Sequence, residues 1–258
     1  MPVLASAGYR AVAVTARGYE PSSQPTNANY QLTALAADVP AWLDSLGENS
    51  AHLIGHDWGS AIASAAATAT PERVASLCMV SVPHGGRFAR VAMTSLRQLW
   101  LSRYIFFFQR RGAPERRLRE RDLAYVDTLW QRWSPGWEYP FSATAAVKLQ
   151  LSAPGVIEAA LAHYRQGADS STPLGKASRA LAKLPVPVPT LALHGCQDGC
   201  VAATVFRRAT RTEDFPAGVT LRTLPNCGHF PQREQPQQFN GSVLDWLQLQ
   251  ASGGSHAR

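Results

Sequence analysis

Cysteine, lysine and long apolar runs are all scarce in this chain of 258 residues, and each scarcity excludes a class of protein. Four cysteines are too few for a disulfide-stabilised secreted scaffold of this length, so we expect reduced thiols and a cytoplasmic location. The most apolar stretch, residues 104–108, lies between Arg103 and Arg110 and falls far short of the roughly 20 residues of a membrane-spanning helix. The N-terminus shows no signal-peptide pattern. We therefore expect no membrane partner.

The charge of the chain is also one-sided. The formal net charge is +7, and with only three lysines it comes almost entirely from arginine. The arginines form no dense run with interleaved aromatic residues, and no nucleic-acid recognition motif is present. We interpret them as a solvated surface and expect no nucleic-acid partner. A hydrophobic fraction of 45% and a mean hydropathy of −0.15 indicate an ordinary soluble globular domain.

Short β-like apolar runs alternate with helical stretches along much of the chain. This alternation predicts an α/β fold, a mostly parallel sheet flanked by helices. The predicted strands are residues 9–15, 52–54, 74–81, 190–193 and 219–224. The predicted helices are residues 32–46, 58–68, 202–210 and 236–249.

The alternation stops between residues 84 and 183, where the pattern is helical and rich in arginine and tryptophan. A helical insertion between two strands of such a sheet is expected to lie as a lid over the C-terminal ends of the strands, where α/β folds place their sites. We therefore divide the chain into a core of residues 1–83 and 184–251, a lid of residues 84–183, and a flexible tail of residues 252–258.

The most informative run is residues 51–60, in which an apolar strand leads through Gly-His-Asp-Trp-Gly into a helix. This is the strand–turn–helix pattern of a nucleophile elbow, with Asp57 in a strained conformation at its apex. We expect Gly55 and Gly59 to be required because side chains in so tight a turn would clash with neighbouring backbone. A carboxylate at the apex attacks saturated carbon and forms an ester, whose charge the backbone N–H of Trp58 could stabilise. The alternative is an aspartate that merely caps the helix.

Such a nucleophile requires a histidine to activate water and an acid to orient that histidine. Asp198 follows the predicted strand 190–193, and His229 follows the strand 219–224, which is the chain order of an α/β-hydrolase triad. Asp198 is expected to fix the tautomer of His229, leaving the other ring nitrogen to accept a proton from water.

At these residues the chain resembles the epoxide hydrolase and haloalkane dehalogenase branch of the α/β-hydrolase family. The elbow at residues 55–59 is typical of that branch, as are the Arg-Gly-Tyr-Glu-Pro-Ser-Ser loop at residues 17–23 and Asn-Cys-Gly-His-Phe at residues 226–230. The resemblance extends from residue 1 to about residue 250 and implies an α/β-hydrolase fold. It also implies that Asp57 is the nucleophile, with Asp198 and His229 completing the triad.

Two tyrosines of the lid separate the two activities of the branch. The stretch from Tyr104 to Glu115 and the tetrapeptide Ala-His-Tyr-Arg at residues 162–165 resemble the family's two tyrosine segments. The resemblance therefore implies that Tyr104 and Tyr164 hold the oxygen of an epoxide as its ring opens. We expect a hydrolase that converts a small hydrophobic epoxide into a vicinal diol without any cofactor.

Two alternatives stay open from the sequence. Haloalkane dehalogenation uses the same triad and could use Trp58 as a halide donor, but it has no use for the tyrosine pair. A catalytically impaired remnant, or a protein that binds ligands in the lid pocket, is the second alternative. Turnover by the purified chain would distinguish an epoxide hydrolase or a dehalogenase from an impaired remnant or a binding protein.

The chain departs from the family at its start. The family's first strands and its His-Gly-x-Pro loop, which supplies a second oxyanion N–H, have no counterpart before residue 10. Three explanations are open: the start of the chain is miscalled, the chain is a truncated remnant, or the flanking strands close up to repair the sheet. We favour the miscalled start. We accordingly expect an N-terminally extended form to be more stable and more active.

No metal is expected in the site. Cys196, Cys200, Cys227 and His229 do not have the spacing of a zinc site, and a ligated His229 could not act as a base. His56 precedes the nucleophile and is a candidate for lining the substrate pocket, although a structural histidine bonded to backbone is the simpler reading. The sequence does not specify the assembly, with which a homodimer is compatible.

Overall fold

A parallel sheet forms the centre of the computed structural model, which describes residues 1–140 and 142–253. Its four strands are β1 (Ala51–His56), β2 (Val74–Val80), β3 (Thr190–Gly195) and β4 (Val219–Leu224). They lie side by side in chain order, and every neighbouring pair is parallel. The register pairs Leu77 with Thr190 and continues with Thr190 opposite Val219. All four strands therefore end at the same edge of the sheet.

The strand predicted at residues 9–15 is wrong. These residues have no regular secondary structure and form no ladder with any strand in the described part of the chain, and Val12 and Val14 are about half exposed at 47% and 48%. Alternating apolar residues favour an extended backbone, but a strand also requires a partner for its N–H and C=O groups. The predictions for β1 to β4 are confirmed to within two residues at each end.

Helices flank the sheet on both faces. Those of the core are α1 (Pro2–Ser6), α2 (Leu32–Leu46), α3 (Trp58–Ala69), α12 (Ala203–Ala209), α13 (Pro231–Glu234) and α14 (Pro236–Gly253). Short 3-10 turns occupy Pro21–Ser23, Pro71–Arg73 and Thr212–Asp214. Helix α14 runs four residues beyond its predicted end and includes the first two residues of the predicted tail. The rest of that tail, residues 254–258, lies outside the described residues.

The alternation of side chains along β2 explains the two-sided core. Cys78 and Val80 pack with Val243 and Trp246 of α14 on one face of the sheet. Leu77 and Met79 point to the other face and join a larger cluster with α3, α12 and the lid. Because a parallel sheet must be covered on both faces, this arrangement accounts for the apolar composition of β2 and β3.

Between β2 and β3 the regular elements of the described residues are all helices. They are α4 (Gly85–Ala92), α5 (Leu96–Leu101), α6 (Arg103–Phe108), α7 (Ala113–Arg119), α8 (Ala124–Trp133), α9 (Ser142–Ser152), α10 (Val156–Ala168) and α11 (Pro173–Leu181). Their buried side chains, including those of Tyr104, Trp130 and Ile157, belong to the same hydrophobic cluster as Leu77 and Met79. The lid is thus packed into the core. None of the described helices is long and apolar enough to cross a membrane.

Candidate active site

Three loops at the carboxyl edge of the sheet bring the predicted triad together. Asp57 follows β1, Asp198 follows β3, and His229 lies beyond the end of β4. The side chains of Asp198 and His229 are fully buried, whereas a quarter of the Asp57 side chain is exposed. Of the three predicted triad residues, Asp57 is therefore the accessible one.

The elbow holds Asp57 in a conformation that few side-chain-bearing residues adopt, with φ at 52° and ψ at −120°. Gly55 makes this turn feasible, because a Cβ there would lie 2.2 Å from the backbone oxygen of Gly59. The expectation that Gly59 is equally required is wrong. A Cβ at Gly59 would meet no described atom within 4 Å, and its φ is not positive. The backbone of the elbow therefore leaves no room for a side chain at Gly55 but does leave room for one at Gly59.

The Asp57 carboxylate has a different partner for each oxygen. Oδ1 accepts a hydrogen bond of 2.7 Å from the backbone N–H of Trp58, and Oδ2 lies 3.2 Å from Nε2 of His229. Asp57 does contact the first residue of α3, as a capping aspartate would. However, the usual capping residue has extended dihedrals, not a positive φ, so capping alone does not account for the strain.

His229 is held between two carboxylates. Its Nδ1 lies 2.9 Å from Oδ2 of Asp198, while Nε2 faces Asp57. Because a carboxylate only accepts hydrogen bonds, both contacts are satisfied together when the ring is an imidazolium with two N–H groups. Burial lowers the pKa of His229, but the charge of Asp198 and the hydrogen bonds to both acids raise it to about 10.

Asp198 accepts three hydrogen bonds. The backbone N–H groups of Cys200 and Val201 donate to Oδ1 at 2.6 and 2.9 Å, and His229 donates to Oδ2. Nε2 of His194, which donates to the backbone oxygen of Val201 at 2.9 Å, lies 3.3 Å from the same Oδ2. Burial on its own would raise the pKa of Asp198, but the charge of His229 and these hydrogen bonds hold it well below the ordinary value. Asp198 is therefore a permanent anion that orients the imidazole.

A third carboxylate, Glu234, fixes the loop that carries His229. Its oxygens accept from the backbone N–H groups of Gly228 and Phe230 at 2.6 and 2.8 Å, and from the Ser134 hydroxyl at 2.6 Å. Ser134, which directly follows α8 of the lid, in turn accepts from the backbone N–H of His229 at 2.9 Å. The lid and the base loop are thereby joined by hydrogen bonds. No motif in the sequence points to Glu234 or Ser134.

The two lid tyrosines contact each other next to Trp58, the residue that follows Asp57. The rings of Tyr104 and Tyr164 are 5.8 Å apart and edge-on, and Tyr164 packs edge-on against Trp58 at 5.4 Å. The hydroxyl of Tyr104 lies 3.4 Å from Sγ of Cys200. Burial raises the pKa of both phenols well above 10, and the charge of Asp57 raises it further, so both remain protonated donors at neutral pH.

Two further residues, Tyr19 and His56, are influenced by the charge of Asp57. The ring of Tyr19 packs edge-on against His163 at 5.2 Å, and burial, followed by the charge of Asp57, raises the pKa of its phenol. Tyr19 belongs to the loop at residues 17–23, whose family-like motif indicates no role for this residue. His56 donates through Nε2 to the backbone oxygen of His229 at 2.8 Å, and burial lowers its pKa to about 4. His56 is thus a neutral support for the base loop, as the simpler reading expected.

One group of donors in the described chain has the dimensions of a metal site. Single donor atoms of Asp57, Cys200 and His229 lie within 4.8 Å of one another. Two of these residues already bond each other, and the Cys200 thiol is beside Tyr104. Cys196 is exposed and Cys227 is buried elsewhere, so the four residues weighed from the sequence do not form one cluster.

A parallel sheet with an acid, a histidine and a second acid on its carboxyl-edge loops is the arrangement of a hydrolase of the α/β class. The model of the alpha/beta hydrolase fold family matches residues 1–236, and the chain belongs to this family.

Within this family, the chain is similar to several proteins named epoxide hydrolases. The chain is 30% identical over 246 residues to Epoxide hydrolase 4 of Mus musculus, covering 93% of this chain and 66% of that protein. It is 27% identical to Epoxide hydrolase A of Mycobacterium tuberculosis over 96% of this chain and 84% of the relative. The crystal structure of Epoxide Hydrolase A from Mycobacterium thermoresistibile superposes with a TM-score of 0.76 at 26% identity, covering 96% of this chain and 85% of that one. The chain spans 58–66% of the length of the first four curated relatives that it matches.

Replacing Gly55 and Gly59 one at a time by alanine tests the one-sided elbow. We expect Gly55→Ala to destabilise the protein by about 1–3 kcal/mol because its Cβ would overlap backbone. Gly59→Ala is expected to stay within about 0.5 kcal/mol of the wild type. The measurement is the free energy of unfolding from urea titrations at pH 7. Equal losses for the two variants would contradict this account of the turn.

Removing the charge of Asp57 tests its electrostatic coupling to His229. In Asp57→Asn the anion that favours the imidazolium is gone, so the pKa of His229 should fall from about 10 by about 1–3 units. The ring can be followed by NMR titration, with His229→Gln used to assign its signal. Asp44→Asn, which removes an exposed carboxylate on α2, is the control and should leave the titration unchanged. An unaltered His229 pKa in Asp57→Asn would refute the coupling.

Proposed function

We propose that this protein is an epoxide hydrolase that opens an epoxide to a vicinal diol through a covalent ester on Asp57. The observation that carries the proposal is the pairing of a strained, accessible carboxylate with two protonated lid phenols that meet beside it. The similarity to proteins named epoxide hydrolases supports the same reaction.

In the first step Oδ2 of Asp57 attacks a ring carbon, and the bond from that carbon to the epoxide oxygen breaks. Oδ1 is held by the N–H of Trp58, so the carboxylate presents its other oxygen to the substrate. The phenols of Tyr104 and Tyr164 bind the departing oxygen and supply a proton to the alkoxide. The product of this step is an ester between the substrate carbon and Oδ2.

Ester formation itself converts His229 into a base. Once Asp57 is esterified it has no charge, so one of the interactions that raise the pKa of His229 is lost. The imidazolium then gives up the proton on Nε2, which replaces the one donated by the phenols. Asp198 keeps its hydrogen bond to Nδ1 and preserves the orientation of the ring.

In the second step water gives one proton to Nε2 of His229 and its hydroxide adds to the ester carbonyl carbon. The N–H of Trp58 stabilises the charge that develops on Oδ1. Collapse releases the diol, whose new hydroxyl contains the former Oδ2 and takes the remaining water proton. The Asp57 carboxylate is restored with one oxygen from water, and His229 is again an imidazolium.

The primary test is diol formation by the purified chain from a small aryl epoxide. Asp57→Ala should lower the rate at least about a thousandfold because no nucleophile remains. Asp44→Ala, which removes an exposed acid from α2, should retain the wild-type rate. In one turnover in oxygen-18 water the label should enter Asp57, and its appearance in the diol instead would exclude the ester.

The two tyrosines can be tested by removing only their hydroxyls. We expect the double variant Tyr104→Phe, Tyr164→Phe to lose at least about a hundredfold in kcat/KM with the epoxide, since both hydroxyls proposed to protonate the alkoxide are removed. Tyr139→Phe is a matched control in the lid, where the hydroxyl donates to the backbone of Asp127. An unchanged rate in the double variant, with halide release from a haloalkane, would favour dehalogenation instead.

A further inference from the structure

The outer surface of α5 and α6 is both apolar and basic. We infer that this surface is a docking site for an anionic lipid bilayer. The α5–α6 face consists of Leu96, Arg97, Trp100, Arg103 and Phe106. The inference concerns peripheral contact, which needs no membrane-spanning helix, and it departs from the sequence-based expectation of no membrane partner.

Large apolar side chains on this face are exposed to solvent. Leu96 is 87% exposed, Trp100 is 62% exposed and Phe106 is 59% exposed. Single exposed apolar residues are ordinary, but a contiguous group that includes tryptophan and phenylalanine marks an interaction surface. Tryptophan in particular favours the boundary between lipid headgroups and hydrocarbon.

The two helices form one continuous face. The guanidinium of Arg103, on α6, lies over the ring of Trp100, on α5, at 3.8 Å from its centroid. The same side chain donates to the backbone oxygen of Trp100 at 2.7 Å. Phe106 follows Arg103 by three residues and therefore lies on the same side of α6. The opposite side of this helix carries the buried ring of Tyr104.

Charge identifies the partner. Residues 84–114 contain six arginines and no aspartate or glutamate. Arg87 pairs with Glu213 and Asp214, but the other five have no carboxylate within ion-pair distance in the described chain. Each unpaired arginine close to an anionic leaflet contributes about a fivefold increase in binding. A second copy of the chain is disfavoured because a two-fold contact would bring the same arginines face to face.

The test is co-sedimentation of the full chain with vesicles of phosphatidylcholine alone and with added phosphatidylglycerol. We expect binding only to the anionic vesicles and its release by high salt, because exposed charges are screened. Arg97→Gln with Arg103→Gln should weaken binding about 25-fold. Trp100→Ala with Phe106→Ala should weaken it about tenfold or more, since their rings enter the interface.

Matched controls lie elsewhere on the surface. Leu149→Ala removes a side chain that is 77% exposed on α9, and Arg207→Gln with Arg211→Gln removes two exposed arginines, so neither should alter binding. No binding by the wild type, or equal binding to neutral vesicles, would overturn the inference. Equal losses in the control variants would do the same. A dimer in analytical ultracentrifugation that only the α5–α6 variants abolish would assign the face to a second copy. All these readouts are independent of epoxide turnover.

Discussion

The site depends on one buried imidazolium held between two carboxylates. Burying any of these charges alone is costly, so each is stable only while the other two keep their positions. Those positions are set by three loops whose strands share one edge of a parallel sheet. The close approach of Gly55 to the helix after it, and the N–H groups that surround the Asp198 carboxylate, serve this single geometric requirement.

The same requirement explains why the lid is attached so firmly near His229. Ser134 and Glu234 hold the backbone on both sides of the base, and the N–H of Gly199 donates to the backbone oxygen of Trp133 at 2.9 Å. The short lid segment after α8 therefore bonds both the acid loop and the base loop. A movement of that segment would disturb the ring between its two carboxylates.

What could be predicted from the sequence is what depends on local pattern. The elbow, the four strands and the loops with Asp198 and His229 each carry their signal within about ten residues, and the structure places them as expected. The strand at residues 9–15 could not be judged locally because pairing depends on a distant partner. Ser134 and Glu234 are separated by 100 residues, and no short motif predicts a hydrogen bond across that distance. The unequal roles of the two elbow glycines depend on the three-dimensional path of the turn, which the residue pattern does not show.

Helix α6 shows how one short segment can meet opposite demands. Its inner side is aromatic and buried, and it brings Tyr104 to within 3.4 Å of the Cys200 thiol beside the nucleophile. Its outer side leaves Phe106 exposed next to an arginine that is stacked on Trp100. A helix required only for packing would have a polar outer face, since exposed aromatic rings gain nothing from water. Because both sides belong to one rigid turn, any contact that orders the outer face also restrains the phenol on the inner one.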